Sequence, residues 1–407
     1  MILNQNIQKK AYSSDYISKN MLDEDFLNVF QQFRLFQVVL GSCRIDARYR
    51  FVTTPSLYQK LYTVVIITLV FISYSGMICY AYKRYENMNY FYAFTSMNTI
   101  AHFIFYFSSI FQSRFYCNKE NVKFYVKLSQ VDKLIKVHYN KIISNVIKRM
   151  NWITLLALFL VICFIVGTVC VTKNPYLLIP VTVLLITHST VLTEINFSAN
   201  LIVYLGLHIQ VISNMMKRHI ETVETNLAVE EFSVFKKHFL KAVGTKTCNL
   251  NEFGLDDYLK RIFTAFSNFQ NVYKFQIFLF TSKVVLFVVL TFEYVLLTVQ
   301  TNGPDRLGLL ILVTLTLTDT IGLLILCLCY EAFERDIREV KLVSIKAMSI
   351  CHTGPLRDKA KIIYRTVEDT FPHFSVYDMW ELDARLFIRV CNVVTGFFVT
   401  FLQLTYL

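Results

Sequence analysis

Acidic side chains are scarce in this 407-residue chain: 29 aspartates and glutamates stand against 41 lysines and arginines, a formal net charge of +12. An excess of that sign invites a nucleic-acid partner, but the basic residues form no stripe. They are spread along segments that also hold 24 of the acids, which argues against nucleic acid and assigns the excess to membrane topology and anionic lipid. Catalytic signatures are missing. There is no HExxH, GxSxG, P-loop or GxGxxG pattern and no cysteine-histidine set at metal spacing, so no enzyme, metal or cofactor is expected. Paired broken helices are missing too: Pro180 and Gly206 in one half do not correspond to Gly308 and Gly322 in the other, which counts against a transporter. The first twenty residues lack the apolar core of a cleaved signal, so the first apolar run is expected to serve as its own anchor. The 36 Phe and 24 Tyr are spread over every apolar run, against two Trp, and so favour no one ligand class.

What the chain does have is hydrophobic length. Apolar residues make up 55% of it, above the roughly 45 to 50% of a soluble domain. Seven runs each approach the ~20 apolar residues of a helical span: Leu57 to Tyr82, Tyr90 to Phe115, Ile147 to Val171, Leu177 to Ile209, Ile277 to Val299, Leu307 to Tyr330 and Ala384 to Leu407. Between them, 35 of the 41 basic residues fall in the N-terminal segment and alternate gaps. The other gaps hold only Lys83, Arg84, Lys173 and Arg306. The positive-inside rule therefore places the N-terminus in the cytosol and the C-terminus outside. The expected fold class is all-α, a polytopic membrane protein with seven transmembrane helices.

The expected organisation is a cytosolic N-terminal segment (1–56), spans one to four (57–209) with a cytosolic helical connection (116–146), a second cytosolic connection (210–276), spans five and six (277–330), a cytosolic helical region (331–383) and the last span (384–407). The outer connections are too short to form a domain, so an outside ligand must enter among the helices. The inner segments carry helical stripes: Phe124, Leu128, Val131, Ile135, His138 and Ile142; Leu255, Leu259, Ile262, Phe266, Phe269 and Tyr273; Phe333, Ile337, Val340, Ser344 and Ala347. The spans are thus expected to continue below the membrane, packing within the chain or between subunits. Gly244 and Gly354-Pro355 mark the expected breaks.

Cysteines lie mostly in spans or on the reducing side, where disulfides are not expected; Cys79 and Cys170, near the outer face, are the one pair placed to bridge. Charges inside spans need partners. Glu194 and Lys283, at similar depth, are expected to pair. Glu293 and Asp319, with Asn98, His102, Thr187 and His188, are candidates to surround a polar ligand pocket walled by Tyr74, Tyr92, Phe94 and Tyr294. Singly, each histidine or threonine would serve as well as an interhelical hydrogen bond.

The chain ends FSVYDMWELDARLFIRVCNVVTGFFVTFLQLTYL. This segment resembles the insect gustatory receptor family, in the seven-span chemoreceptor superfamily that also holds the odorant receptors. Leu382, Asp383, Arg385, Leu386 and Phe387 match the acidic-basic approach to the last span, Gln403 the terminal glutamine and Thr395 an extra threonine. Gly396, Phe397 and Leu404 stand where the family has threonine, tyrosine and phenylalanine. The resemblance implies a tastant receptor in the plasma membrane of sensory neurons, built as a homotetrameric or heterotetrameric channel gated by a small-molecule tastant and passing monovalent and divalent cations. The last span would line the pore, the cytosolic helices would join the subunits, and the ligand would sit in the outer half of the first six spans. Degeneracy of the terminal motif favours bitter or plant-derived ligands.

On that reading Asn392, Thr395, Val399 and Gln403 follow helical steps down one pore face. Gln403 lies near the outer mouth, and Val399 or Phe398 forms the gate. Gln403 capping helix carbonyls or meeting headgroups is the alternative. A G-protein-coupled seven-helix receptor would need the opposite orientation; an odorant-type receptor of the same superfamily is a second alternative.

Overall fold

The computed structural model describes residues 22, 24–48, 51–84, 89–134, 137–171, 178–231, 254–300 and 306–406. An inner helix α1 (Glu24–Val39) is followed by a hairpin of β1 (Asp46–Arg48) and β2 (Phe51–Thr53), whose antiparallel register sets Ala47 against Val52. Then come α2 (Leu57–Arg84), α3 (Asn89–Phe111), a π-helical turn at Gln112–Tyr116, α4 (Asn118–Asp132), α5 (Val137–Val171), α6 (Leu178–Glu231), α7 (Leu255–Gln300), α8 (Arg306–Ile350) and α9 (Pro355–Asp369). A short hairpin, β3 (Ser375–Val376) with β4 (Trp380–Glu381), leads into α10 (Ala384–Tyr406). The fold is all-α and membrane-spanning.

Six described helices, α2, α5, α6, α7, α8 and α10, are long and apolar enough to cross a bilayer. The seventh, α3, has 23 residues, about 34 Å of helix, and Asn98, His102 and its tyrosines hold its hydropathy below that of the others. Three helices are far longer than a membrane is thick. α6 has 54 residues, α7 has 46 and α8 has 45, or about 68 to 81 Å each against a hydrocarbon core of about 30 Å. Their inner halves therefore run on beyond the bilayer, and the sequence stripes show why they hold together there. The α7 stripe from Leu255 to Tyr273 and the α8 stripe from Phe333 to Ala347 are fully buried. Phe266 stacks on Phe333 with ring centroids 4.7 Å apart.

The first stripe is broken. Phe124, Leu128 and Val131 are buried on α4, but α4 ends at Asp132 and Ile142 of α5 is half exposed. The side chains of Ile135 and His138 lie outside the described residues, as does Gly244. Gly354, at φ 104°, takes the left-handed region open to glycine and starts α9, with Pro355 in its first turn.

Packing differs between the two halves. Inside, one continuous core runs from Phe26 of α1 to Val394 of α10, with α6 at its centre. At Gly322 of α8 a Cβ would lie 2.9 Å from the Leu192 Cδ1 of α6 and 3.4 Å from the Phe280 ring of α7, so the three helices pack closely there. In the outer half the apolar contacts split into three small clusters, around Phe94 and Tyr294, around Ile165 and Leu315, and around Tyr74 and Tyr106. Three separate clusters leave space between them.

Cys79 and Cys170 are both free and exposed, so the one pair placed to bridge does not. Phe197 and Ser198 of the single glycosylation sequon are buried in α6.

Candidate functional site

The space between the outer clusters is a cavity of about 180 Å³ bounded by α2, α3, α6, α7 and α8. Tyr74, Phe94, Asn98, His102 and Tyr294, five of the expected pocket residues, line it. Periodicity explains the convergence: Phe94, Thr95, Asn98, Thr99 and His102 recur at helical steps on α3, so one face of that helix forms a wall. Tyr294 stacks on Phe94 at 4.9 Å. The Tyr74 hydroxyl meets the Thr187 hydroxyl at 2.7 Å, and Thr187 donates to the Leu184 carbonyl at 2.9 Å. Thr187 thus supports the wall from behind.

The remaining candidates stand elsewhere. Tyr92 packs with the Phe94 and Tyr294 cluster and meets Tyr82 edge-on, but does not reach the cavity. Glu293 is half-buried and outside the lining. His188 and Asp319 lie outside the lining as well, bound up with Lys283.

The expected Glu194–Lys283 pair does not form. The Lys283 ammonium sits 2.7 Å and 3.0 Å from the two oxygens of Asp319 and 3.4 Å from His188 Nδ1. Thr318 donates to the Leu315 carbonyl at 2.7 Å, so its oxygen is free to accept from His188 Nε2 at 3.0 Å. That chain assigns a neutral His188 with its proton on Nε2. Glu194 is taken instead by Arg44, Nε to Oε2 at 2.8 Å, and by the Gln37 amide at 2.8 Å. Glu194 and Lys283 both face a void of about 10 Å³ between them, no larger than one water. Sequence depth put the two charges level; it could not show that each had a nearer partner.

Arg44 was not singled out from sequence, although among the described residues it is the most heavily bonded buried cation. It is 1% exposed and reaches Glu194, Asn121 Oδ1 at 3.3 Å, Gln276 Oε1 and the Tyr273 ring at 4.2 Å. Arg114, in the π turn, bonds the Cys43 carbonyl and holds the Arg44 loop down. The available signal was Phe26, Phe30, Phe33 and Gln37, spaced as one face of a helix in the N-terminal segment.

The second candidate feature is α10. Asp383 accepts from the Leu386 amide at 2.8 Å, capping the helix, and Glu331 accepts from the Ala384 amide at 3.2 Å. The helix packs through Leu386, Val390, Val394 and Phe398, with Phe387 beside them at its start. Asn392, Thr395, Val399 and Gln403 are all exposed on the rest of its surface. Phe398 does not share that face: its ring stacks on Phe292 of α7 at 3.8 Å, whereas Val399 is exposed.

No family model and no curated protein matches the sequence. Solved structures do. The structure of the insect olfactory receptor OR5 from Machilis hrabei superposes with a TM-score of 0.59 over 94% of this chain and 100% of that one, at 13% identity. The chain shares its fold. The same receptor in complex with eugenol gives a TM-score of 0.55 at 12% identity, with the same coverage.

Proposed function

We propose that the chain is a subunit of a gustatory chemoreceptor, a ligand-gated non-selective cation channel whose ligand binds in the outer cavity. The observation that carries this is the surface of α10. Asn392 and Gln403 present exposed amides in a helix of spanning length, and uncompensated polar groups are costly against lipid; the exposed Thr395 hydroxyl beside them bonds the Cys391 carbonyl at 2.8 Å. Copies of the chain arranged about an axis would turn that face to water and leave Val399 as an apolar constriction. The matched approach at Asp383 to Phe387 and Gln403 supports the same reading. A homotetramer, or a heterotetramer with related receptors, joined through the inner helices of 331–383, supplies the axis; the site is the plasma membrane of sensory neurons.

The bound eugenol in the Machilis hrabei receptor supports a small organic ligand, here a bitter or plant-derived compound. It also favours the second reading, an odorant-type receptor of the same fold. Expression of this chain alone in cells lacking other receptors, with whole-cell current recorded during a compound screen, tests the proposal. Ligand-evoked cation current is expected. A second-messenger response without current contradicts it.

A further inference from the structure

Between α9 and α10 the chain climbs α7 toward the bilayer. Phe374 is buried against Phe269 and Phe266, with ring centroids 6.0 Å and 6.3 Å away, and farther along Trp380 stacks on Phe278 at 5.5 Å. About 13 Å of helix axis separates Phe269 from Phe278, and Phe278 stands where span five begins. The β3–β4 hairpin therefore lies at the level of the inner membrane surface. It adjoins the start of α10, whose first amide is held by Glu331 at the inner end of span six. The tip of the hairpin is apolar and uncovered: Tyr377 is 49% exposed and Met379 63%.

The turn that makes this tip is unfavourable in itself. Among the described residues, Tyr377 and Asp378 are the non-glycine residues with positive φ, 53° and 57°, and the Met379 amide closes on the Val376 carbonyl at 3.0 Å. Positive φ at both central positions is the pattern of a type I′ turn, which Asn-Gly fills readily and a bulky tyrosine fills badly. The Ser375 hydroxyl offsets part of that cost, accepting from the Asp378 amide and donating to Asp378 Oδ1, both at 3.0 Å. What tyrosine adds is an amphipathic ring at this depth. It meets Phe278 edge-on at 5.8 Å and the Lys274 ammonium at 4.7 Å, and the rest of it is uncovered. Aromatic side chains with an apolar body and a polar end concentrate where hydrocarbon meets headgroups. Charge is balanced there, Asp378 and Glu381 against Lys274 and Arg385, so an anionic lipid is not called for. We infer that the tip of the β3–β4 hairpin is a membrane anchor: Tyr377 and Met379 bed in the headgroup layer of the inner leaflet, on neutral phospholipid, and hold the entry to α10 at that surface. Such an anchor needs only a bilayer-spanning chain and does not depend on conduction.

Trp380 fluorescence tests it, because Trp380 is the chain's one tryptophan once Trp152→Phe is made. The full-length protein is placed in nanodiscs of phosphatidylcholine that is unmodified, brominated near the headgroup, or brominated near the chain end. Headgroup-side bromines should quench Trp380 at least about twofold more than chain-end bromines, with poor access for aqueous iodide and no change when phosphatidylserine is added. Tyr377→Asn, Asp378→Gly and Met379→Ser together give the turn its preferred residues and remove the apolar tip. That chain should melt no lower than its parent in detergent, yet lose about half of the bromine quenching and admit iodide. Tyr377→Ser with Met379→Ser, which leaves Asp378 in place, is a second variant with the same expected quenching. Iodide access without bromine quenching in the parent places the tip in water, and exclusion of both places it under protein, such as a second copy packed through the inner helices; either overturns the anchor. Stronger quenching by chain-end bromines, dependence on phosphatidylserine, or quenching that survives loss of the tip side chains in a folded chain overturns it too.

Discussion

Arg44 and Glu194, 150 residues apart in sequence, meet at 2.8 Å with each side chain 1% exposed. A charge carried by the loop after α1 is thereby locked into the centre of α6. Removing one partner leaves the other buried and unpaired. Arg44→Met or Glu194→Leu should each destabilise the purified chain by about 3 to 5 kcal/mol, read as a loss of thermal stability in detergent. Arg44→Lys should recover only part of it, since an ammonium cannot reach Glu194, Asn121 and Gln276 together as the guanidinium fork does.

Lys283 and Asp319 form the second buried pair. Lys283→Met and Asp319→Leu alone should each be severe, while the double substitution should be milder than the sum of the two. A cycle of Glu194→Leu with Lys283→Met should be close to additive, because the two charges do not touch. Thermal melts of the four proteins in each cycle decide it; strong coupling between Glu194 and Lys283 would revive the pairing that sequence depth implied.

Tyr330 ties α8 to the chain before α10: its hydroxyl accepts from the Phe374 amide at 2.7 Å and donates to the Pro372 carbonyl at 3.1 Å. Tyr330→Phe strands that buried amide at a cost of about 1 to 3 kcal/mol. The expected signs are a lowered melting temperature and, if the proposed function holds, altered gating with unchanged ligand affinity, because the proposed ligand cavity lies at the other end of the helices.

Burial pushes the thiols of Cys43 and Cys117 up. Both should stay protonated at pH 7, and maleimide labelling in the folded chain should be slower than in the unfolded chain by more than about tenfold, rising only as pH climbs past the ordinary thiol range. Mass spectrometry of pulse-labelled protein measures this at each site.

Much of the architecture was legible because it rests on patterns that survive without a partner chain. Apolar run length gave the spans, basic asymmetry gave their orientation, and three-four spacing gave the inner stripes of α7 and α8. The α3 wall was legible for the same reason, since Asn98 and His102 are one turn apart. What sequence did not carry was partner choice. Lys283 has several acids at plausible depth, and only packing selects Asp319. Arg44 reads as one more cytosolic cation until α1 is docked, and the stacking of Phe398 on Phe292 is not written in the spacing of either helix.

Val399 is 50% exposed on the α10 surface that Phe398 leaves. Within the proposed pore, Val399→Cys should become accessible to a water-soluble thiol reagent only while ligand is present, with Cys391→Ser as background, and Phe398→Cys should not.

The central claim of the proposed function is that copies of this chain, with no other protein, hold the ligand and enclose the ion path. Purified protein reconstituted into planar bilayers, exposed to an agonist found in the cell screen, tests it most directly: the account predicts unitary cation currents whose conductance changes in Gln403→Glu, and agonist binding with no unitary current would contradict it.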